Sequence, residues 1–193
     1  MEQRQSMDLT ILVDNNTFID QYYLGEPAVS YLIETDGKKV LFDVGYSDVF
    51  LKNMEAMGHK LKEIDAIVLS HGHNDHTGGL STLLLEKEKF EGKRPTLIAH
   101  PGAFEEKQAD GLMISSEVSA QQMQSVCDVT LPEGTYPVTE NLLFLGGIPR
   151  GNCYEAQNPV GTKNTLNGWQ ADFVEEDTAL VYTAQDGIYI ITG

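Results

Sequence analysis

His71, His73, Asp75 and His76 fall within six consecutive residues, at offsets of 0, 2, 4 and 5, and take three of the chain's five histidines. They follow directly on a short apolar run, Ile64 to Leu69, that reads as a strand. Imidazole nitrogens with a carboxylate are the donor set that zinc prefers, at about 2.0–2.2 Å; iron and manganese accept the same set. A loop at a strand's C-terminal end can aim several side chains at one point, whereas side chains inside a strand alternate between its faces. Gly72 is read as allowing a tight turn between donors, and Gly78-Gly79 as allowing the next helix to approach closely. The alternative is a surface loop whose histidines cluster by chance. Four donors in six residues at a strand end favour a metal centre, and with the histidines so committed no Ser-His-Asp or Cys-His arrangement competes.

Other residues have weaker claims. Asp177 opens a strand and reads either as a metal ligand or bridging carboxylate, or as an ordinary strand-start Asp. Arg150 is the candidate to anchor a substrate anion, because a guanidinium forks onto phosphate or carboxylate; a plain salt bridge is its other reading. His100 follows a strand and faces either a cleft or its own loop. Tyr154 and Trp169 stack on a ligand ring or simply pack. Cys153 has no adjacent base, and Glu105-Glu106 and Glu175-Glu176 read as solvated faces.

The elements that position these groups are legible in part. Leu9 to Val13 reads as a strand, and Tyr31 to Phe42 as a strand pair around Asp36-Gly37, a strong hairpin signal. Ser47 is a candidate N-cap for a helix carrying Val49, Phe50, Met54 and Met57 and stopped at Gly58. Leu80 to Lys87 reads as helix and Thr96 to Ala99 as strand. From Pro101 to Gln124 the chain reads as mostly helical, best over Ala103–Gln108 and Glu117–Gln124. Asn141 to Leu145 reads as strand, Asn152 to Gly168 as loop, and Ala179–Tyr182 with Ile188–Thr192 as a hairpin around Asp186-Gly187. Strands paired locally and then alternating with helices indicate a mixed α/β (α+β) layer fold. One domain is expected over 1–193, with a helical and loop insertion at about 101–168 near the cleft.

Composition narrows the class. With 193 residues and 41% hydrophobic content the chain can bury a sizeable core. Thirteen basic against 29 acidic residues leave a net charge of −16, which argues against a nucleic-acid partner, since phosphate backbones need Lys and Arg. Two cysteines with no CxxC spacing, a polar opening segment and no membrane-length apolar run predict a soluble, cytoplasmic protein without a membrane partner. Self-association is left open.

Ser70-His71-Gly72-His73-Asn74-Asp75-His76-Thr77-Gly78-Gly79 resembles the His-x-His-x-Asp-His motif of the metallo-β-lactamase superfamily. Val40-Leu-Phe-Asp-Val-Gly45 resembles its first motif, a strand ending in Asp and Gly. Leu145-Gly-Gly-Ile-Pro-Arg150 and Glu176-Asp177-Thr-Ala-Leu-Val181 resemble the branch containing the dihydropterin-ribofuranosylaminobenzene phosphate synthases. The resemblance implies a four-layer αββα sandwich with a dinuclear metal site along one edge of its two sheets. It implies that His71 and His73 hold one divalent ion and Asp75 and His76 the other, with zinc the expected metal. It places Asp43 behind the cluster as an orienting carboxylate; a turn-forming Asp at the strand's end is the other reading.

Two ions about 3.5–4 Å apart can bridge a water, lower its pKa toward about 7 and polarise a phosphoryl or carbonyl oxygen. Asp75 could also orient the resulting hydroxide. The expected activity is therefore that of a metal-dependent hydrolase or related transferase acting on a small, anionic, phosphate-bearing metabolite; β-lactam hydrolysis is not expected. The other reading is a non-catalytic metal-binding or ligand-sensing protein. The branch continues its last hairpin into a Cys-Ser-His stretch and a later histidine, whereas no histidine follows His100 here. Two ligands per ion are too few for a tight site, so the domain is expected to lack its C-terminal part, with a partner's ligands or lost catalysis as alternatives. Gly193 is expected to lie beside the cluster.

Overall fold

A computed structural model describes residues 6–193, so the reading of the first five residues lies outside it. The chain opens with strands β1 (Met7–Val13), β2 (Ser30–Thr35) and β3 (Lys38–Phe42), then helix α1 (Val49–Ala56), strand β4 (Ala66–Val68), helices α2 (Asn74–Thr77) and α3 (Leu80–Leu85), and strand β5 (Thr96–Ile98). Thr35 pairs with Lys38 across Asp36 and Gly37, whose φ values of 53° and 69° are those of a hairpin turn. Ser47 lies one residue before the α1 N-cap, Asp48, and its Oγ accepts from the Val49 N–H at 3.3 Å.

The next region corrects the sequence reading. Instead of mostly helix, it holds a turn of 3-10 helix (Pro101–Phe104), strands β6 (Lys107–Ala109) and β7 (Leu112–Met113) and a short α-helix, α4 (Ala120–Met123), before β8 (Asp128–Thr130), β9 (Tyr136–Pro137) and β10 (Leu142–Leu145). The segment read as loop contains β11 (Gly161–Thr165) and the start of β12 (Gly168–Asp172). These strands are short and largely polar, and β6, β7, β11 and β12 form a small sheet that shows solvent much of its surface. They therefore lack the two-residue apolar alternation by which buried strands are recognised. The closing hairpin is β13 (Ala179–Ala184) with β14 (Gly187–Thr192), turning on Gln185 and Asp186 rather than on Asp186-Gly187.

Three sheets result. The largest runs β1-β2-β3-β4-β5-β8, antiparallel at first and parallel from β3 onward; a second runs β14-β13-β10-β9, and the small third runs β12-β11-β6-β7. Both faces of the largest sheet are apolar. Leu32, Leu41, Ile67 and Leu97 join a core with Phe50, Met54, Leu80, Leu83, Phe90 and Met123 from the helical side. Their strand neighbours Ile33, Val40, Phe42, Val68 and Ile98 point the other way, against Leu142, Phe144, Leu180, Tyr182 and Ile191 of the second sheet. Such burial on two faces is what a partly parallel sheet requires. The architecture is the expected mixed α+β sandwich, with α1, α3 and α4 packed on one outer face.

Candidate metal centre

The strand ends of the largest sheet deliver the cluster. β3 runs out into Asp43, whose N–H donates to the Val68 carbonyl and whose φ of 55° lies in the left-handed region, disfavoured for a residue with a side chain. That turn swings the buried carboxylate under the next strand's end. There Asp43 Oδ1 accepts from the Ser70 N–H at 2.7 Å, and Oδ2 accepts from Ser70 Oγ at 2.7 Å. The same Oδ2 lies 2.7 Å from His76 Nδ1. Asp43 thus sits where the orienting role would put it, and His76 Nε2 is left facing Asp75 Oδ2 at 3.3 Å.

His71 leaves β4 and turns Nε2 toward His73 Nδ1, 3.1 Å away, while its Nδ1 faces Ser70 Oγ at 3.0 Å. The His71 ring centroid is 4.1 Å from that of His76 and 4.7 Å from that of His73. His73 is the N-cap of α2, its carbonyl accepting from Thr77 Oγ1 at 2.9 Å. Gly72 sits at a bend of the backbone between His71 and His73, and packing makes a further demand on it. A Cβ there would fall 2.5 Å from the Ala103 carbonyl oxygen, so close approach of the chain beyond β5 is what requires glycine.

Electrostatics divide the histidines. Burial, reinforced by His76 and His73, pushes the His71 pKa down to about 3, which keeps that ring neutral. Burial also disfavours a charged His76, yet the hydrogen bonds it donates to Asp43 and Asp75, and their negative charge, hold its pKa up at about 10. Burial raises the Asp75 pKa, but the contact with His76 outweighs it and the net direction is down.

The donor set fits divalent ions, whose binding would displace the proton that Asp43 and Asp75 favour on His76. His71, Asp75 and His76 each offer a ligand atom within 4.8 Å of the others, and His73 Nδ1 joins through His71. Nitrogens about 3 Å apart can share one ion at the usual bond length of about 2.0–2.1 Å. The structure thus brings together His71, His73, Asp75, His76 and Asp43. Asp177 is adjacent but separate: Oδ1 is 4.0 Å from His71 Nδ1, on the ring edge away from His73, and more than half its side chain is exposed. Burial, the largest cause, together with the charges of Glu176 and Asp43 raises its pKa, against a backbone hydrogen bond at Thr178 and the charge of Arg150.

A family model of the metallo-beta-lactamase superfamily matches residues 24–134. The chain belongs to the metallo-beta-lactamase superfamily. Two proteins of Methanocaldococcus jannaschii are similar to it. An uncharacterized protein is 31% identical over 150 residues, 77% of this chain and 56% of the relative. The 7,8-dihydropterin-6-methyl-4-(beta-D-ribofuranosyl)-aminobenzene-5′-phosphate synthase is 26% identical over 185 residues, 89% of this chain and 62% of the relative. The chain therefore spans 56% and 62% of the length of these curated relatives. The crystal structure of Tm1679, a metal-dependent hydrolase of the beta-lactamase superfamily, matches at TM-score 0.75 and 24% identity, covering 97% of this chain and 66% of that one.

For a superfamily member the surroundings of the cluster matter as much as the motif. Arg150 is exposed, donates to the Val174 carbonyl, and lines a cleft of about 470 Å³ that Asp177 and Phe173 also border. Asp177 connects that cleft to His71. His100 does not join the cluster; its Nδ1 accepts from the Gly102 N–H at 3.1 Å and closes its own turn. Tyr154 is mostly exposed and Trp169 half-exposed. Gly193 lies against the site, a Cβ there falling 2.7 Å from Asp43 Oδ2. Glu176, read as solvated, is buried with Lys107 and Asp172 beside His73. Sequence reasoning missed all three: Lys107 stood in an expected helix, Glu176 in an expected solvated face, and Asp172 in a stretch assigned to no element. No helix among the described residues is long and apolar enough to cross a membrane.

Proposed function

We propose that this chain carries the metal-binding core of a metal-dependent hydrolase or related transferase that acts on a small, anionic, phosphate-bearing metabolite. Superfamily membership and the candidate ligand groups support a metal-dependent, hydrolase-like role. The observation that carries the reading is the pairing of donors: His71 Nε2 with His73 Nδ1, and Asp75 Oδ2 with His76 Nε2, side by side at one strand edge. His71 and His73 would hold one divalent ion and Asp75 and His76 a second, with zinc the first choice. When bound, such a pair supplies an activated water near neutral pH and Lewis acidity toward a phosphoryl oxygen.

The chain's own residues do the rest. Asp43 holds the His76 ring by its Nδ1 edge, so its Nε2 edge faces Asp75. Asp75 accepts hydrogen bonds from the attacking water and orients it. Arg150, at the rim of the cleft that Asp177 joins to His71, binds the anionic end of the substrate. The phosphate-bearing substrate class is supported by the likeness to the aminobenzene-5′-phosphate synthase.

The test is elemental analysis of the purified protein together with turnover of phosphodiester and ester probes by wild type and His73→Ala. The reading expects bound divalent metal, turnover by wild type, and loss of both metal and turnover in the folded variant. Metal binding without turnover would favour the ligand-sensing reading. Unchanged turnover in His73→Ala would remove the mechanism.

A further inference from the structure

Three charged side chains lie buried behind His73. Lys107 on β6 and Asp172 at the end of β12 are both 0% exposed, and Glu176 is 2% exposed. Lys107 Nζ lies 2.9 Å from Glu176 Oε1 and 3.6 Å from Asp172 Oδ2. Removing such charges from water is costly, and a buried pair repays that cost only with good geometry and further hydrogen bonds. Asp172, Glu175 and Glu176 could themselves suggest a cation site. The Lys107 ammonium already provides that positive charge, and Glu175 is taken by Lys163 at 2.8 Å.

The cluster is instead aimed at His73. Asp172 Oδ2 faces His73 Nε2 at 3.4 Å, and Asp172 Oδ1 is fixed by the Val174 N–H at 2.9 Å. The small third sheet carries this arrangement as a unit. β11 pairs with both neighbours, Lys163 opposite Lys107 and Gly161 opposite Asp172. The same sheet grips the start of α2: the Ile114 N–H donates to the Lys107 carbonyl, and the Ile114 carbonyl accepts from the Asn74 N–H at 2.8 Å. His73 is thus approached by one rigid element at both its backbone and its outer ring edge.

We propose that Asp172 is a positioning residue that selects the tautomer and orientation of His73, and that Lys107, held by Glu176, keeps the Asp172 carboxylate in place. This rests on the metal-site reading of His73. An ionised carboxylate only accepts hydrogen bonds, so the ring edge facing it must carry the N–H. With hydrogen on Nε2, the Nδ1 lone pair points at the place His71 Nε2 also faces, 3.1 Å away. The other tautomer would set a lone pair against the carboxylate and an N–H where a ligand is needed. A carboxylate on the outer edge of a ligating imidazole supports metal affinity by 10–100-fold, by the usual effect of its removal.

The test compares wild type with the near-isosteric Asp172→Asn. In the metal-free protein, long-range ¹H–¹⁵N correlation of the histidine rings, assigned with His73→Gln, reads the His73 tautomer directly. Calorimetric Zn²⁺ titration of both proteins reads affinity. The expected result is hydrogen on Nε2 of His73 in wild type, loss of that preference in Asp172→Asn, and Zn²⁺ binding roughly 10–100-fold weaker. Hydrogen on Nδ1 in wild type overturns the proposal, and that measurement decides even if the variant does not fold. Equal Zn²⁺ affinity in a folded Asp172→Asn also overturns it. A tautomer preference lost in the variant, with no Zn²⁺ binding by wild type, would uphold the positioning and defeat the metal reading instead.

Discussion

Asp43 Oδ2 lies 2.7 Å from His76 Nδ1, with both side chains buried, although 33 residues separate them in the chain. The same carboxylate accepts from the Ser70 N–H and Oγ, so a single group ties the end of β3 to the loop after β4 and to α2. Removing it leaves His76 and the Ser70 amide without their buried acceptor. Asp43→Ala is expected to destabilise the fold by about 3 kcal/mol, the cost of orphaning one member of a buried charged pair. Asp43→Asn, which keeps an acceptor for Ser70, is expected to lose less. Urea denaturation midpoints of the two variants check this, and equal losses would count against the charge argument.

Gly79 is a second tie. A Cβ there would fall 2.2 Å from the Val44 carbonyl oxygen and 2.7 Å from the Phe50 ring, and backbone cannot move aside as a flexible side chain can. Gly79→Ala is expected to cost about 3 kcal/mol, at the upper end for overpacking. A thermal melt within a degree of wild type would mean that α3 can shift outward.

The two large sheets are joined far from the metal cluster by Asp36 in the first hairpin. Its carboxylate accepts from Thr139 Oγ1 at 2.6 Å and from the Asn141 side-chain and backbone N–H groups, both at 2.8 Å. Burial alone would raise its pKa, but these hydrogen bonds outweigh it and the net direction is down. A carboxylate with a depressed folded pKa stabilises above its unfolded value of about 3.9, and that stability is lost as pH falls through the folded pKa. Asp36→Ala is therefore expected to cost on the order of 1 kcal/mol at pH 7, the site being exposed. The difference from wild type should shrink as pH is lowered below about 4, as the wild-type carboxylate protonates. Denaturation at pH 7 and pH 3 checks the sign.

Arg150 is exposed, and its guanidinium donates to the Val174 carbonyl. Arg150→Ala is expected to change stability by less than about 0.5 kcal/mol. With an anionic probe that wild type turns over, KM should rise on the order of tenfold, about 1.4 kcal/mol, with kcat little changed, because the contact is made in ground and transition states alike. A fall in kcat at constant KM would place Arg150 at the reacting atoms instead.

What the sequence determined alone is what short-range chemistry can specify. The four donors at 71–76 are locked together by their spacing on one strand end and one short helix, so their convergence follows from a few residues of backbone. The Asp36-Gly37 turn, the apolar strands β2 to β5 and the closing hairpin are local in the same sense, each carrying its own turn residues or alternation. Tertiary structure decided what depends on partners distant in sequence. Asp172 meets His73 across 99 residues, and Lys107 becomes buried only because β11 pairs with β6 and carries β12 behind the cluster. Those strands are short and half-solvated, so no periodic apolar signal marks them. A lone Lys, Asp or Glu in such a segment looks solvated until other strands close over it. Its burial is then decided by long-range pairing, which no window of neighbouring residues contains.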